Sequence, residues 1–111
     1  MSRSINLYLK DIIISIDKIK KYTTNLTYDE LLEDEKTIES VMYNLIIIGE
    51  ATKKIPPEIR ILYPNIEWQK IAGLRDVIAH GYFSININII WNIIQTKLDD
   101  LKSCIQEIIN E

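Results

Sequence analysis

Cysteine, histidine and phenylalanine each occur once in this chain, and glycine and proline three times each. One cysteine leaves no disulfide to hold the fold, which suits a reducing cytoplasm. One cysteine and one histidine cannot fill a four-ligand zinc site, so structural zinc is disfavoured, and no cofactor is expected. No apolar run approaches the roughly 18 residues of a membrane span. The N-terminal MSRSINLYLKD lacks a signal-peptide core followed by small residues. The expectation is a cytoplasmic protein that does not engage a membrane. Positive charge is not in excess either: 13 Lys and Arg stand against 16 Asp and Glu, a formal charge of -3. Bulk acidity does not favour nonspecific nucleic-acid binding, so any RNA-binding surface must be a local cluster. Lys53, Lys54, Arg60 and Arg75 are the candidates for it.

What the chain has instead is isoleucine at helical spacing. At 111 residues it reads as one domain, 1–111. Ile5, Tyr8, Leu9, Ile12, Ile16 and Ile19 predict a first helix from about Ser4 to Lys21, broken by TTNLT. Thr27 with Glu30 is a capping-box pattern that opens a second helical stretch. TIESVMYNLIIIGEATKKI carries two apolar stripes. The first is Ile38, Val41, Met42, Leu45, Ile48, Gly49, Thr52 and Ile55. The second is Tyr43, Ile46 and Ile47, continuing to Glu50. A surface helix needs one stripe, so this helix is central or shared with a second chain, and Gly49 would admit a close neighbour. Pro56 and Pro57 end it and begin a short helix. The chain is helical again from about Trp68 to Gly81. The alternation in SININII is coincidental, because Ile90, Ile93, Ile94, Leu98, Leu101, Ile105 and Ile108 keep helical spacing. Asn86 is the expected cap of that last helix.

GLRDVIAHGYF holds the lone histidine. On a continuous helix Arg75 falls on the apolar face of Trp68, Ile71, Ala72 and Ala79. Asp76 and His80 are one turn apart. Arg75 and His80 diverge by about 140°, so they converge only if the helix ends there, if Arg75 reaches round, or if a second subunit supplies one of them. Arg75 offers five donors to a phosphate. His80, in the last turn, is the one histidine able to give or take a proton. Simpler roles stand beside these. His80 could only cap the helix, and Arg75 could pair with Glu50 or Asp76. Tyr82 and Phe83 could plug the core, Glu50 could pair with Lys54, and Cys104 could be inert packing.

Arg75-Asp76-Val77-Ile78-Ala79-His80-Gly81-Tyr82 resembles the R-x-x-x-x-H-x-Y signature of HepT-like proteins in the HEPN superfamily. LLEDEKTIESVMYNLIIIGEATKKIP, LYPNIEWQKIAGLRDVIAHGYF and IIWNIIQTKLDDLK follow that family's pattern in order, so the resemblance spans nearly the whole chain. SININII departs from it in lacking proline and acidic residues before the last helix. The resemblance implies an all-α, antiparallel bundle of four to five helices that forms a homodimer through helix faces. It further implies a metal-independent endoribonuclease toxin of a type II toxin–antitoxin pair, with a nucleotidyltransferase antitoxin as partner. In that reading Arg75 and His80 are catalytic and act on RNA. Asp76 and Glu50 support them, and Tyr82 takes an AMP group that silences the toxin. The alternative is a non-catalytic helical subunit that docks a nucleotidyltransferase and RNA or a nucleotide.

Overall fold

The computed structural model describes residues 4–81 and 86–110, and these contain helices and no strand. Helix α1 (Ile5–Thr23) starts where the side chain of Ser4 accepts from the Asn6 amide, and it runs two residues past the expected Lys21. Asn25, with φ 67°, makes the break in TTNLT; asparagine tolerates that left-handed conformation better than most residues. The capping box forms as expected. Glu30 N donates to Thr27 Oγ1 at 3.1 Å, and Thr27 N donates to Glu30 Oε1 at 2.8 Å. It opens only a short α2 (Tyr28–Leu32). Asp34 then caps a new helix, α3 (Glu35–Thr52), accepting from Thr37 N and Thr37 Oγ1 at 3.1 and 2.7 Å. The second helical stretch is therefore two helices, because Asp34 offers a cap that competes with continuation.

Helix α4 (Pro57–Arg60) begins on the two prolines. The stretch from Trp68 to Gly81 divides into α5 (Trp68–Ala72) and α6 (Leu74–Gly81), with Gly73 between them at ψ -6°. No described glycine has a positive φ, and Gly81 is the last described residue of α6. Asn86 does cap α7 (Ile87–Thr96), its side chain accepting from Asn88 N at 2.8 Å. Lys97 separates α7 from α8 (Leu98–Ile109). The rods of the bundle are thus α1, α3, the pair α5 and α6, and the pair α7 and α8, with α2 and α4 as short connectors.

Helix α3 is the hub and packs on α1, α2, α5 and α6, while α8 closes the far side of α1. Its first stripe is buried from Val41 through Thr52. Val41, Met42, Leu45 and Ile48 of that stripe share one core with Leu9, Ile12, Ile16 and Ile19 of α1 and with Leu98, Leu101 and Ile105 of α8. Each such fully buried Leu or Ile contributes about 1.5–3 kcal/mol relative to exposure. The second stripe is open by comparison. Ile46 and Ile47 are half-buried, Glu50 is exposed, and Tyr43 is 65% exposed.

Two polar devices fix the return of the chain from α3 to α5. Arg60 reaches back to the open end of α3, donating through Nε to Ile55 O at 3.0 Å and through Nη2 to Thr52 O at 2.7 Å. Thr52 O belongs to the last turn of α3, where a helix end leaves carbonyls short of intrahelical partners, and Ile55 O to the turn that follows it. Trp68 Nε1–H is shared between Arg60 O and Tyr63 O at 3.1 and 3.0 Å. Together they seat the start of α5 beside the last turns of α3.

Candidate functional site

The site forms where α3 meets the break between α5 and α6. Gly49 lets this happen. A Cβ on Gly49 would lie 3.1 Å from both Arg75 N and Ile71 O, and 3.5 Å from Ala72 O. All three neighbours are backbone, so any side chain here would push α6 away. The close approach expected from Gly49 is the one seen.

It brings four charged groups together. Glu50 and Lys53 come from α3, and Arg75 and Asp76 from the first turn of α6. Arg75 Nε lies 3.4 Å from Glu50 Oε1, and Arg75 Nη1 donates to Asp76 Oδ1 at 3.2 Å. Lys53 Nζ lies 3.6 Å from the same Glu50 Oε1 and 3.8 Å from Asp76 Oδ2. Each cation is shared by two carboxylates, and each carboxylate by two cations. Their side chains are between 38 and 54% exposed. The hydrogen bond from Arg75, then the charge of Lys53, hold the Asp76 carboxyl below the usual carboxylate range.

Arg75 is therefore not on the buried face that a continuous wheel gives it. Gly73 interrupts the helix, and the buried residue of α6 is Ile78, while Arg75 and Ala79 are exposed. Both carboxylates that could pair with Arg75 do so at once. Glu50 pairs with Lys53 at i+3 rather than with Lys54. Arg60, another of the candidate cations, caps α3 instead. Lys53 is the residue whose place sequence reasoning left undecided; its spacing to Glu50 was the only signal available.

His80 stands one turn beyond Asp76, but its partner is the main chain. Its Nδ1 lies 2.9 Å from the Asp76 carbonyl oxygen. A carbonyl can only accept, so Nδ1 is the donor in this hydrogen bond and Nε2 is not engaged by it. Asp76 thus serves both motif residues: its side chain holds Arg75 and its carbonyl orients His80. Tyr82 and Phe83 lie outside the described residues, as does the start of SININII.

Other features stand apart from this cluster. A groove of about 660 Å³ runs between α5–α6 and α7, lined by Ile71, Leu74, Val77, Ile89 and Ile93 among others. Neither Glu50, Arg75, Asp76 nor His80 lines it. Cys104 is buried in the core, where burial raises its thiol to about 11 and suits the inert role expected of it. Among the described residues no group of three or more His, Cys, Asp or Glu could hold a metal ion, and no helix is long and apolar enough to cross a membrane.

A protein-family profile described as "Ribonuclease HepT-like" matches residues 12–108. The chain is 39% identical over 98% of its length to a Methanocaldococcus jannaschii protein that carries the provisional name RNase, covering 90% of that protein. It is 34% identical over 97% of its length to a Thermococcus cleftensis protein named "Probable ribonuclease HepT", covering 98% of it. A Caldanaerobacter subterraneus protein, again provisionally named RNase, is 30% identical over 94% of the chain and is covered to 93%. No solved structure matches. The chain belongs to the HepT-like family, and the all-α fold agrees with the one that its sequence resemblance implied.

Proposed function

We propose that this chain is a metal-independent endoribonuclease, acting as one domain, in which Arg75 and His80 are the catalytic residues. The observation that carries the reading is the 2.9 Å approach of His80 Nδ1 to the Asp76 carbonyl oxygen. With Nδ1–H given to Asp76 O, Nε2 is free to take the proton of a ribose 2′-hydroxyl. The 2′-oxygen then bonds to the adjacent phosphorus while the bond from phosphorus to the 5′-oxygen breaks. The products are a 2′,3′-cyclic phosphate and a 5′-hydroxyl. The pentacoordinate intermediate carries more charge than the starting diester, and Arg75 would stabilise that excess. Glu50 and Asp76 orient Arg75 for this role. The relatives' names as ribonucleases support the same reading.

The chain has one histidine, and the leaving 5′-oxygen also needs a proton. A homodimer would supply a second His80 for it. The half-open stripe of Tyr43, Ile46 and Ile47, running towards Glu50, is the face proposed to meet a second copy. Ile47→Asp should then yield monomers or insoluble chain in sedimentation, and an unchanged dimer would remove this face from consideration. The wider reading is a type II toxin restrained by a nucleotidyltransferase antitoxin that transfers AMP to Tyr82. A bulky anion two residues from His80 would compete with an RNA phosphate for Arg75.

The test is cleavage of a mixed RNA pool in EDTA. Wild-type protein should cleave, and His80→Ala and Arg75→Ala should not, although both stay folded. Cleavage that survives both substitutions would sink the proposal. Wild-type protein that carries AMP by intact mass should be inactive until the group is removed.

One observation favours a second reading, a non-catalytic subunit that docks a nucleotidyltransferase and RNA or a nucleotide. Both cations of the site are already paired with carboxylates. Catalysis requires a proton acceptor at position 80, whereas binding requires only a hydrogen bond. Function retained by His80→Gln would therefore select the second reading.

A further inference from the structure

We infer that Lys53 is a second phosphate-binding cation of this site, paired with Arg75 around the position of one anionic oxygen. The inference rests on the ribonuclease reading for its substrate, but its geometry stands apart from it. Glu50 Oε1 lies 3.4 Å from Arg75 Nε and 3.6 Å from Lys53 Nζ. A carboxylate oxygen and a phosphate oxygen are alike in charge and in the donors they accept. Glu50 Oε1 therefore marks a point where both cations already hold an anionic oxygen. Asp76 repeats the arrangement with its two oxygens, one on Arg75 Nη1 and the other near Lys53 Nζ.

The two cations come from different helices, so the pairing needs the close crossing at Gly49. Half-exposed ion pairs of this kind contribute little to stability, so stability alone does not account for four of them at one place. The arrangement has a chemical use. A phosphodiester carries one negative charge and the pentacoordinate intermediate up to two, so a second cation becomes more valuable as the reaction proceeds. Until RNA arrives, Glu50 and Asp76 hold both cations in place, and a phosphate takes over those contacts by displacing one carboxylate.

A purely structural role is the competing account. Lys53 is the C-cap residue of α3, and a cation there also complements the helix dipole. The experiment separates the two. A fluorescent single-stranded RNA oligonucleotide is bound by His80→Ala protein, which leaves it uncut, with and without Lys53→Met, across a series of salt concentrations. Losing one phosphate contact reduces the slope of log affinity against log salt by about 0.7. The expected result is that reduction, with affinity at least tenfold weaker at low salt. Lys53→Arg should restore most of both, and Lys54→Met should change neither. The pair Lys53→Met with Glu50→Gln keeps the net charge of the site and should remain weak.

A capping role would lower the melting temperature and leave the slope intact. An unchanged slope, full recovery in the charge-balanced pair, or no RNA binding by the His80→Ala protein each overturns the inference. In cleavage assays Lys53→Met on the wild-type background should lose at least tenfold in kcat/KM. Wild-type protein that binds RNA with the expected slope change but never cuts it would refute the ribonuclease reading and leave the anion site standing.

Discussion

Replacing Gly49 with alanine tests the joint between fold and site. The added Cβ would stand 3.1 Å from Arg75 N and from Ile71 O, where ordinary contact begins near 3.4 Å. Helix α6 must retreat by several tenths of an ångström, and its first turn carries Arg75. Two effects oppose each other. Alanine improves the interior of a helix by about 1 kcal/mol over glycine, and overpacking a tight contact costs about 1–3 kcal/mol. The net expectation is a loss of about 0–2 kcal/mol, visible as a lower urea midpoint with an unchanged m-value. Activity should fall more than stability does, because the retreat separates Arg75 from Glu50. Gly73→Ala is the control. Its Cβ would meet only carbonyls of its own preceding turn, Gln69 O at 3.3 Å and Lys70 O at 3.6 Å. Its φ of -80° suits any L-residue. That variant should be neutral to slightly stabilising, by up to about 1 kcal/mol, with cleavage intact. Gly49→Ala that is more stable than wild type and equally active would refute the close crossing.

Three further outcomes follow from the same geometry. The hydroxyl of Thr52 is buried with no hydrogen-bond partner among the described residues, so Thr52→Val should stabilise the protein by about 1 kcal/mol in chemical denaturation; a loss of stability would mean the hydroxyl is satisfied. Arg60→Met removes its bonds to Thr52 O at the end of α3 and to Ile55 O in the turn beyond, and should cost about 2 kcal/mol. It should leave the salt dependence of RNA binding unchanged, because Arg60 is a cap, and a shallower slope would return it to the RNA surface. Asp76 has a depressed carboxyl in the folded chain. Its ion pairs therefore stabilise the fold above the unfolded value of about 3.9 and stop doing so as pH falls through the lower folded value. The melting temperature of wild type should exceed that of Asp76→Asn at pH 7, and the gap should close towards pH 3. A gap that is constant with pH would remove the ion pairs as its cause.

Local chemistry was legible in the sequence, and the meeting of distant elements mostly was not. The capping box at Thr27 and Glu30 and the cap at Asn86 depend on two to four adjacent residues, and both form as read. The central place of α3 was visible as a surplus of apolar positions. The wheel for Arg75 failed because it assumed a continuous helix. Gly73 ends one helix and begins another, which turns the face bearing Trp68 and Ala72 away from the one bearing Arg75. Glycine within an apolar pattern is a signal for such a break, but it fixes neither the angle nor the new face. Likewise Lys53 and Lys54 are equivalent neighbours on paper. Only the position of α6 decides that Lys53 meets both carboxylates.

The acidity of the chain takes on a different meaning once the site is assembled. Two carboxylates and two cations leave the cluster neutral, so it presents no strong basic patch to attract RNA from a distance. Any selectivity must then arise at contact, where a phosphate has to outcompete Glu50 or Asp76 for donors already placed. A single-stranded, flexible diester can turn its oxygens into that position, whereas a phosphate held in a regular duplex is constrained by its neighbours. If the cluster is the catalytic site proposed above, it is poorly suited to capture nucleic acid indiscriminately and better suited to act on strands that can fit it. Weakening the competitor, as in Glu50→Gln, should raise affinity for RNA at low salt while loosening Arg75. Anisotropy and single-turnover cleavage of the same oligonucleotide would show tighter binding coupled to a slower chemical step. Tighter binding with faster cleavage would mean that Glu50 only obstructs the site and does not orient Arg75.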